Sequence, residues 1–400
     1  MRKRFICIRL YDFAFIMCIA SIIIGSIRYF PDEISELLRY GFIIVSFMAI
    51  LEKRTICITK CIVSKYIILY IIICCFSTLL SPYFSLRMEI ALCQFILINI
   101  FVILFPWEKY LSAINIAMIV FYTICMISVV FSLILFYFGN YTFIDGKRYN
   151  YLLNPIISQR AMGPSGIRLG YSSFFSNPNS FGSYCVIALL WIMSKSKGIL
   201  SKRNVISLFI MGTGVFLSNS RSAYFLSFIV VAFFLFVNIK DNNTKIFLVF
   251  ISLTSFTLYL IMHMNKFVSV LMSVDLNGRE EIWSSLMKSI REYPILGTGY
   301  SSGSKYIIPQ EATGTYSSYL TILTDCGLIG AILSFSVLIH SLRDCVINVI
   351  QKNKTAIYLL AFTIYMCILG ISENVFFNVT NRWLLWLLTC LSIIRNKSNN

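Results

Sequence analysis

The chain has 400 residues, of which 58% are apolar and only 13% are charged, and its mean hydropathy is +0.80. This composition excludes a soluble globular protein and predicts a polytopic helical membrane protein, because apolar segments of about 18 residues or more recur along the chain. The formal net charge of +17 would suggest nucleic acid in a soluble chain. In a membrane protein the basic residues are divided between the two sides of the bilayer, so we expect no nucleic-acid partner.

The chain begins with a basic segment, MRKRFICIRLYDF, which leads into a long apolar stretch without a small-residue cleavage site. This pattern predicts an uncleaved first span rather than a removed signal peptide. The 13 cysteines are scattered through apolar stretches and show no metal-ligand spacing. We interpret them as packed thiols, with a disulfide framework or a metal site as the alternatives, and we expect neither a metal nor a cofactor.

Twelve apolar segments are predicted to cross the membrane, so the fold class is all-α, with one polytopic domain over residues 1–400. Several segments are short for a span of about 20 residues, and these are expected to tilt or to thin the bilayer locally. The predicted spans are 13–30, 37–51, 66–80, 88–105, 113–138, 181–194, 205–217, 222–237, 246–262, 317–340, 355–371 and 375–394.

The distribution of Lys and Arg predicts the orientation of these spans. Placing the N-terminus in the cytoplasm puts most of the 34 basic residues in short cytoplasmic segments. Both termini are then cytoplasmic, and two long loops, residues 139–180 and 263–316, lie outside the cytoplasmic membrane.

The outer loops carry arginines that the positive-inside rule does not require. Arg160 and Arg168 lie in the first loop, Arg279 and Arg291 lie in the second, and the turn SNSRSAY places Arg221 at the mouth of a span. Guanidinium groups on the outer surface predict an anionic ligand, and phosphate is their usual bidentate partner. The alternatives are lipid headgroups or ion pairs with acidic residues of the same loops.

The second long loop contains a predicted amphipathic helix in the segment NGREEIWSSLMKSIREYPILGTGY. Asn277 can cap this helix and Glu280 can complete a capping box, whereas Pro294 ends the helix. Helical spacing predicts that the helix lies at the membrane surface with its basic face directed away from the lipid. The predicted apolar face comprises Ile282, Trp283, Leu286, Met287 and Ile290.

The sequence shows no glycine-rich phosphate loop, HExxH motif, nucleophile elbow or ATP-binding module. His263 is predicted at the outer end of one span and His340 at the cytoplasmic end of another, so the two histidines cannot act together on one substrate. Asp325 lies about 13 Å into its predicted span at a rise of 1.5 Å per residue. A carboxylate at that depth is costly unless it has a polar partner or a functional role, and a proton-coupled transporter would also use such a residue.

Four segments of the chain resemble the C-terminal signature of the O-antigen polymerase and ligase superfamily. They are IRLGYSSFFSNPNSFGSY, SNSRSAYFLSFIVVAF, NGREEIW with the following EYPILGTGY, and TYSSYLTILTDCGLIGAIL, and the resemblance covers about residues 168–330. The resemblance implies a GT-C-like fold and a metal-independent, inverting glycosyltransferase of the inner membrane, with its active face outside. The implied donor is a glycan on undecaprenyl pyrophosphate. The implied acceptor is another lipid-linked repeat unit in a polymerase and lipid A-core in a ligase.

The resemblance also assigns roles by position. Arg221 and Arg279 match the family arginines that hold the pyrophosphate, and Arg160 and Arg168 match the basic first loop. The predicted catalytic residues are Arg221, Arg279 and Asp325, and the predicted substrate-binding residues are Arg160, Arg168, Arg291, Trp283 and Tyr316.

One departure from the family pattern bears on the reaction. Ligases carry a histidine where this chain has Tyr316, which favours a polymerase of O-antigen or capsule and leaves the general base open among Glu280, Glu281, Glu311 and Asp325. The alternatives are an O-antigen ligase and a lipid-linked oligosaccharide flippase, and a flippase would place its charges inside the spans. Membrane lipid and a chain-length regulator protein are further expected partners.

Overall fold

In the part of the chain that the structure describes, the fold is a bundle of membrane helices with a small sheet. A computed structural model describes residues 2–27, 30–53, 61–144, 147–152, 157–162, 170–175, 177–195, 202–220, 279–308, 314–350 and 354–396, with short pieces at 222–224, 227–228 and 232. The helices are α1 Arg2–Ile24, α2 Asp32–Lys53, α3 Ile62–Leu79, α4 Leu86–Leu104, α5 Leu111–Phe138, α6 Pro178–Lys195, α7 Lys202–Ser218, α8 Arg279–Glu292, α9 Ser318–Ile350, α10 Lys354–Leu369 and α11 Asn381–Asn396.

Five stretches within the described ranges are long and apolar enough to cross a membrane. They lie in α2, α3, α4, α5 and α9, and shorter apolar helices occur in α1, α7, α10 and α11. The chain is therefore an integral membrane protein of the all-α, polytopic class, as its composition predicts.

Ten of the twelve predicted spans coincide with described helices. The predicted span 246–262 lies wholly outside the residues that the structure describes, and the span 222–237 lies mostly outside them. The predicted start of the last span was wrong, because α11 begins at Asn381 and not at residue 375. The side chain of Asn378 accepts a hydrogen bond from the N–H of Thr380 at 3.1 Å, which stabilises a turn where a helix was expected.

The first long loop contains a four-stranded antiparallel sheet that the sequence analysis did not predict. Its strands, β1 Asn140–Ile144, β2 Lys147–Leu152, β3 Ile157–Met162 and β4 Gly170–Tyr171, are ordered β1-β2-β3-β4. Ile144 pairs with Lys147, and the two residues between them in the sequence are Asp and Gly. An Asp-Gly pair between β-forming residues is a strong hairpin signal that could have revealed this sheet.

Helix α6 lies at the centre of the bundle, and every residue from Ser180 to Ser194 is buried. Small residues let its neighbours approach closely, as is common between membrane helices. A Cβ added to Gly214 of α7 would lie 2.7 Å from Sγ of Cys185 and 2.7 Å from a methyl group of Val129. This glycine therefore lets α7 pack against both α5 and α6.

We predict that Gly214→Leu lowers the thermal unfolding temperature of the detergent-purified protein, because the added side chain has no room between α5, α6 and α7. Gly212→Leu on the same helix is the matched control, since a Cβ there meets no atom within 4 Å. Equal unfolding temperatures for the two variants would contradict this packing.

Candidate functional site

The span that follows the second long loop is a broken helix. Helix α9 is interrupted at Gly327, whose φ of 62° and ψ of −162° are not helical. The loop after α8 fills the interruption: Leu328 N–H donates to the carbonyl of Pro294 at 2.8 Å, and Gly299 N–H donates to the carbonyl of Asp325 at 2.9 Å. Backbone groups that a break frees inside a membrane protein need internal partners of this kind.

Two glycines allow this contact between backbones. A Cβ on Gly297 would lie 2.6 Å from the backbone nitrogens of Cys326 and Gly327. A Cβ on Gly327 would overlap the carbonyl group of Ile295. Both glycines also have a positive φ, 71° at Gly297 and 62° at Gly327, which is costly for other residue types. Gly297 of the loop and Gly327 of α9 are therefore in direct backbone contact.

The carboxylate of Asp325 anchors the same loop. Its side chain accepts hydrogen bonds from the N–H of Ser301 at 2.8 Å, the N–H of Gly303 at 2.9 Å and the hydroxyl of Ser302 at 3.2 Å. Asp325 is only 3% exposed. The expectation that it is buried against polar partners is confirmed, and these bonds give it a structural role, while its catalytic role stays a prediction.

Helix α3 supports the loop from the other side. The hydroxyl of Ser77 donates to the carbonyl of Asp325 at 2.6 Å and accepts from Gly299 N–H at 3.0 Å. Tyr300 N–H donates to the hydroxyl of Thr78 at 2.9 Å. Burial is the largest cause that raises the pKa of the Tyr300 phenol well above its usual range, so this phenol stays neutral and does not supply a base.

Helix α8 is held above α9 by an apolar contact. Ile282 and Leu286 are buried against Ile308, and Trp283 packs on the same cluster. The indole N–H of Trp283 donates to the carbonyl of Thr315 at 3.3 Å. The helix is therefore fixed both to the loop that follows it and to the residues that precede α9.

Arg279, the first residue of α8, points into a partly buried polar cluster. Its Nη1 donates to the carbonyl of Ser372 at 2.9 Å, and its Nη2 lies 3.9 Å from Oε1 of Glu373. Its guanidinium carbon lies 4.7 Å from the ring centroid of Tyr316, within cation–π range. Tyr316 thus lies beside the Arg279 guanidinium.

Glu373 connects Arg279 to other helices. Nη2 of Arg382 lies 3.8 Å from Oε2 of Glu373, and Nδ2 of Asn179 donates to Oε1 at 2.9 Å. Next to Arg382, the side chain of Asn381 accepts a hydrogen bond from Nη2 of Arg39 at 2.6 Å. We call Asn179, Arg279, Glu373 and Arg382 the Glu373 cluster. It joins α6, α8, the α10–α11 loop and α11.

Four residues of this region were not predicted from the sequence to be site residues: Glu373, Asn179, Arg382 and Arg39. Both arginines fall inside predicted spans, 375–394 and 37–51. An ionisable residue inside a span indicates a functional site by default, so this signal was present in the sequence. Asn179 belongs to the SNPNSFG segment that carries the family resemblance.

The remaining predicted arginines lie either outside the described residues or outside the Glu373 cluster. Arg168 and Arg221 lie outside the described residues. Arg160 lies on β3, paired with Tyr149 of β2. Arg291 is exposed on α8. Met287, at the edge of the predicted apolar face of α8, is 41% exposed, whereas Ile282 and Leu286 of that face are buried.

The described neighbours of Arg221 lie next to the first turns of α6. A Cβ on Gly182 would lie 2.6 Å from the hydroxyl of Ser218 and 2.8 Å from Cβ of Ala223. Asn179 of the Glu373 cluster occupies the first turn of the same helix. Among the described residues, no group of three or more His, Cys, Asp or Glu side chains could hold a metal ion.

We predict that Asp325→Ala lowers the unfolding temperature more than Asp325→Asn does. Alanine leaves the buried N–H groups of Ser301 and Gly303 without their acceptor, at about 1–3 kcal/mol each, whereas asparagine keeps one carbonyl oxygen. Glu36→Gln, at an exposed carboxylate of α2, is the control. Thermal unfolding in detergent measures the unfolding temperature of each variant. Equal unfolding temperatures for all three variants would contradict the anchoring role of Asp325.

We compared the chain with known proteins and with models of protein families. No curated protein matches the chain. A family model described as O-antigen ligase matches residues 206–335, about a third of the chain. The matched segment contains the turn with Arg221, helix α8 and the broken part of α9. This match supports the assignment of the chain to the O-antigen polymerase and ligase superfamily, and it does not distinguish polymerases from ligases.

Proposed function

We propose that the protein polymerises lipid-linked oligosaccharide repeat units into a surface polysaccharide. The growing glycan is transferred from its undecaprenyl pyrophosphate to an incoming lipid-linked unit, on the outer face of the inner membrane. The observation that carries this proposal is the convergence of Arg279 and Arg382 on Glu373. Two guanidinium groups at the ends of different helices suit a phosphate group, and the family match supports a lipid-linked glycan as substrate.

The chemistry requires a leaving group with stabilised charge. In the transfer, the bond between the anomeric carbon and the phosphate oxygen breaks, and the acceptor hydroxyl forms the new glycosidic bond. Arginines can neutralise the departing diphosphate without a metal, and one such contact is typically worth about 3 kcal/mol in the transition state. We propose that Arg279, Arg382 and Arg221 supply these contacts, with Arg160, Arg168 and Arg291 attracting the anionic substrate.

Tyr316 favours the polymerase over the ligase. Its ring lies beside the Arg279 guanidinium, 4.7 Å from the guanidinium carbon to the ring centroid. A phenol in this position does not reproduce the histidine of a ligase, because histidine is the side chain that most often acts as a general base. Departure of the diphosphate then dominates the barrier. Asp325 anchors the loop through three hydrogen bonds, and a catalytic role for it remains part of this proposal.

A gel of surface glycan from a strain that lacks the gene tests this function against its two alternatives. We expect the deletion strain to keep product with a single repeat unit, because transfer of one unit to its final acceptor does not need a polymerase. Long lipid-linked chains would indicate a ligase, and the absence of any repeat-unit product would indicate a flippase. Either result would contradict the proposal.

We predict that Arg279→Lys loses most long-chain glycan while the protein remains inserted and abundant. Lysine keeps the charge but lacks the planar, two-pronged geometry that matches phosphate oxygens. Arg221→Lys should have the same effect if both arginines hold the diphosphate. The control is Lys288→Gln, which removes an exposed charge from the same helix and should leave the glycan pattern unchanged. A normal glycan ladder from Arg279→Lys at native expression would refute the role of Arg279.

A further inference from the structure

The Glu373 cluster contains more positive than negative charge. One carboxylate faces two guanidinium groups, at 3.9 Å from Arg279 and 3.8 Å from Arg382. The side chains of Arg279, Glu373 and Arg382 are only 19%, 14% and 11% exposed, respectively. Burying a net charge is costly, so a cluster of this kind favours the arrival of another anion.

The Glu373 carboxylate is held in place without close arginine contacts. Both ion-pair distances are longer than a hydrogen bond, whereas the amide of Asn179 donates to Oε1 at 2.9 Å. The backbone of Glu373 is fixed as well: its carbonyl accepts from the hydroxyl of Ser318 at 3.0 Å, and its N–H donates to the carbonyl of Leu369 at 2.9 Å. The carboxylate therefore stays between the arginines even if they turn to another partner.

Arg382 retains hydrogen-bonding capacity. Its Nη1 is buried and has no hydrogen-bond partner among the residues that the structure describes. Arg39 adds a third cation close by, through its bond to Asn381, the residue next to Arg382. This nitrogen can therefore donate to an anion that enters the cluster.

We propose that Glu373 is a resident counter-anion that competes with a substrate phosphate for Arg279 and Arg382. The competing group is a phosphate of the lipid-linked diphosphate, and the proposal in this form rests on the proposed function. Glu373 touches no reacting atom and acts through the arginines, so it is a positioning residue. When the site is empty, its charge partly neutralises the arginines. When the diphosphate product must leave, the same charge weakens its retention.

If Glu373 competes with phosphate, removing its charge should strengthen the binding of pyrophosphate. Glu373→Gln removes the competing charge but keeps an amide oxygen that can accept from Asn179, so the affinity for pyrophosphate should rise by about fivefold or more. Arg382→Gln should lower that affinity by a similar factor, and the double variant should bind with an affinity between those of the two single variants, because Arg279 is still freed from Glu373. A purely structural ion pair predicts the opposite pattern, in which each single variant loses stability and neither binds pyrophosphate more tightly.

The test is calorimetric titration of inorganic pyrophosphate into the purified full chain, reconstituted in nanodiscs of phosphatidylcholine. Thermal unfolding of each variant verifies that it is folded. Glu373→Asp, which keeps the negative charge, should bind pyrophosphate about as tightly as the unmodified protein does. Arg343→Gln is the charge-matched control, since Arg343 is exposed towards the other end of α9. Tighter binding by Glu373→Gln alone supports the proposal, and unchanged or weaker binding overturns it.

Two further arms separate the source of the phosphate. Undecaprenyl pyrophosphate in the nanodisc should compete with inorganic pyrophosphate at near-stoichiometric amounts, whereas phosphatidylglycerol should not. Competition by phosphatidylglycerol alone would assign the site to lipid headgroups and overturn the proposal as stated. The affinity pattern is independent of the glycan gel. A confirmed pattern with a flippase or ligase phenotype would therefore leave the counter-anion in place and refute the polymerase.

Discussion

The docking of one loop into a broken helix underlies the geometry of the candidate site. At Gly327 helix α9 loses its regular backbone pairing, and residues 294–299 supply the missing partners. Gly297 and Gly327 allow the two backbones to touch, and Asp325 holds the next turn of the loop through three hydrogen bonds. An unpaired backbone group inside a membrane protein costs several kcal/mol, so the loop and the break stabilise each other.

This contact determines where Arg279 can be. The docked loop follows directly after the C-terminal end of α8. The helix is further fixed by the burial of Ile282 and Leu286 against Ile308. Arg279 is consequently held at the start of α8, where it reaches Ser372 and Glu373. A guanidinium group positioned before the substrate arrives loses less conformational entropy on binding, which is the usual advantage of preorganisation.

The sequence predicted the helical class and the segment that carries Arg279, because apolar length and helical periodicity are local properties. Asp325 could be flagged as buried and partnered from its depth alone. The break at Gly327 could not be predicted, since it depends on contacts with a distant loop. The pairing of Glu373 with Asn179 and Arg382 could not be predicted either, because Asn179 is distant in the sequence and reaches Glu373 only in the folded bundle. Arg382 was missed for a different reason: it was counted as part of an apolar span.

The central claim is that arginine side chains stabilise the departing diphosphate while one lipid-linked repeat unit is joined to another. Its most direct test is reconstitution of the purified chain in liposomes with synthetic undecaprenyl-pyrophosphate-linked repeat units and a metal chelator. The account predicts a ladder of products that differ by one repeat unit, with release of undecaprenyl pyrophosphate, and the loss of this ladder in Arg279→Lys. Absence of any product from the unmodified protein, or an unchanged ladder from Arg279→Lys, would contradict it.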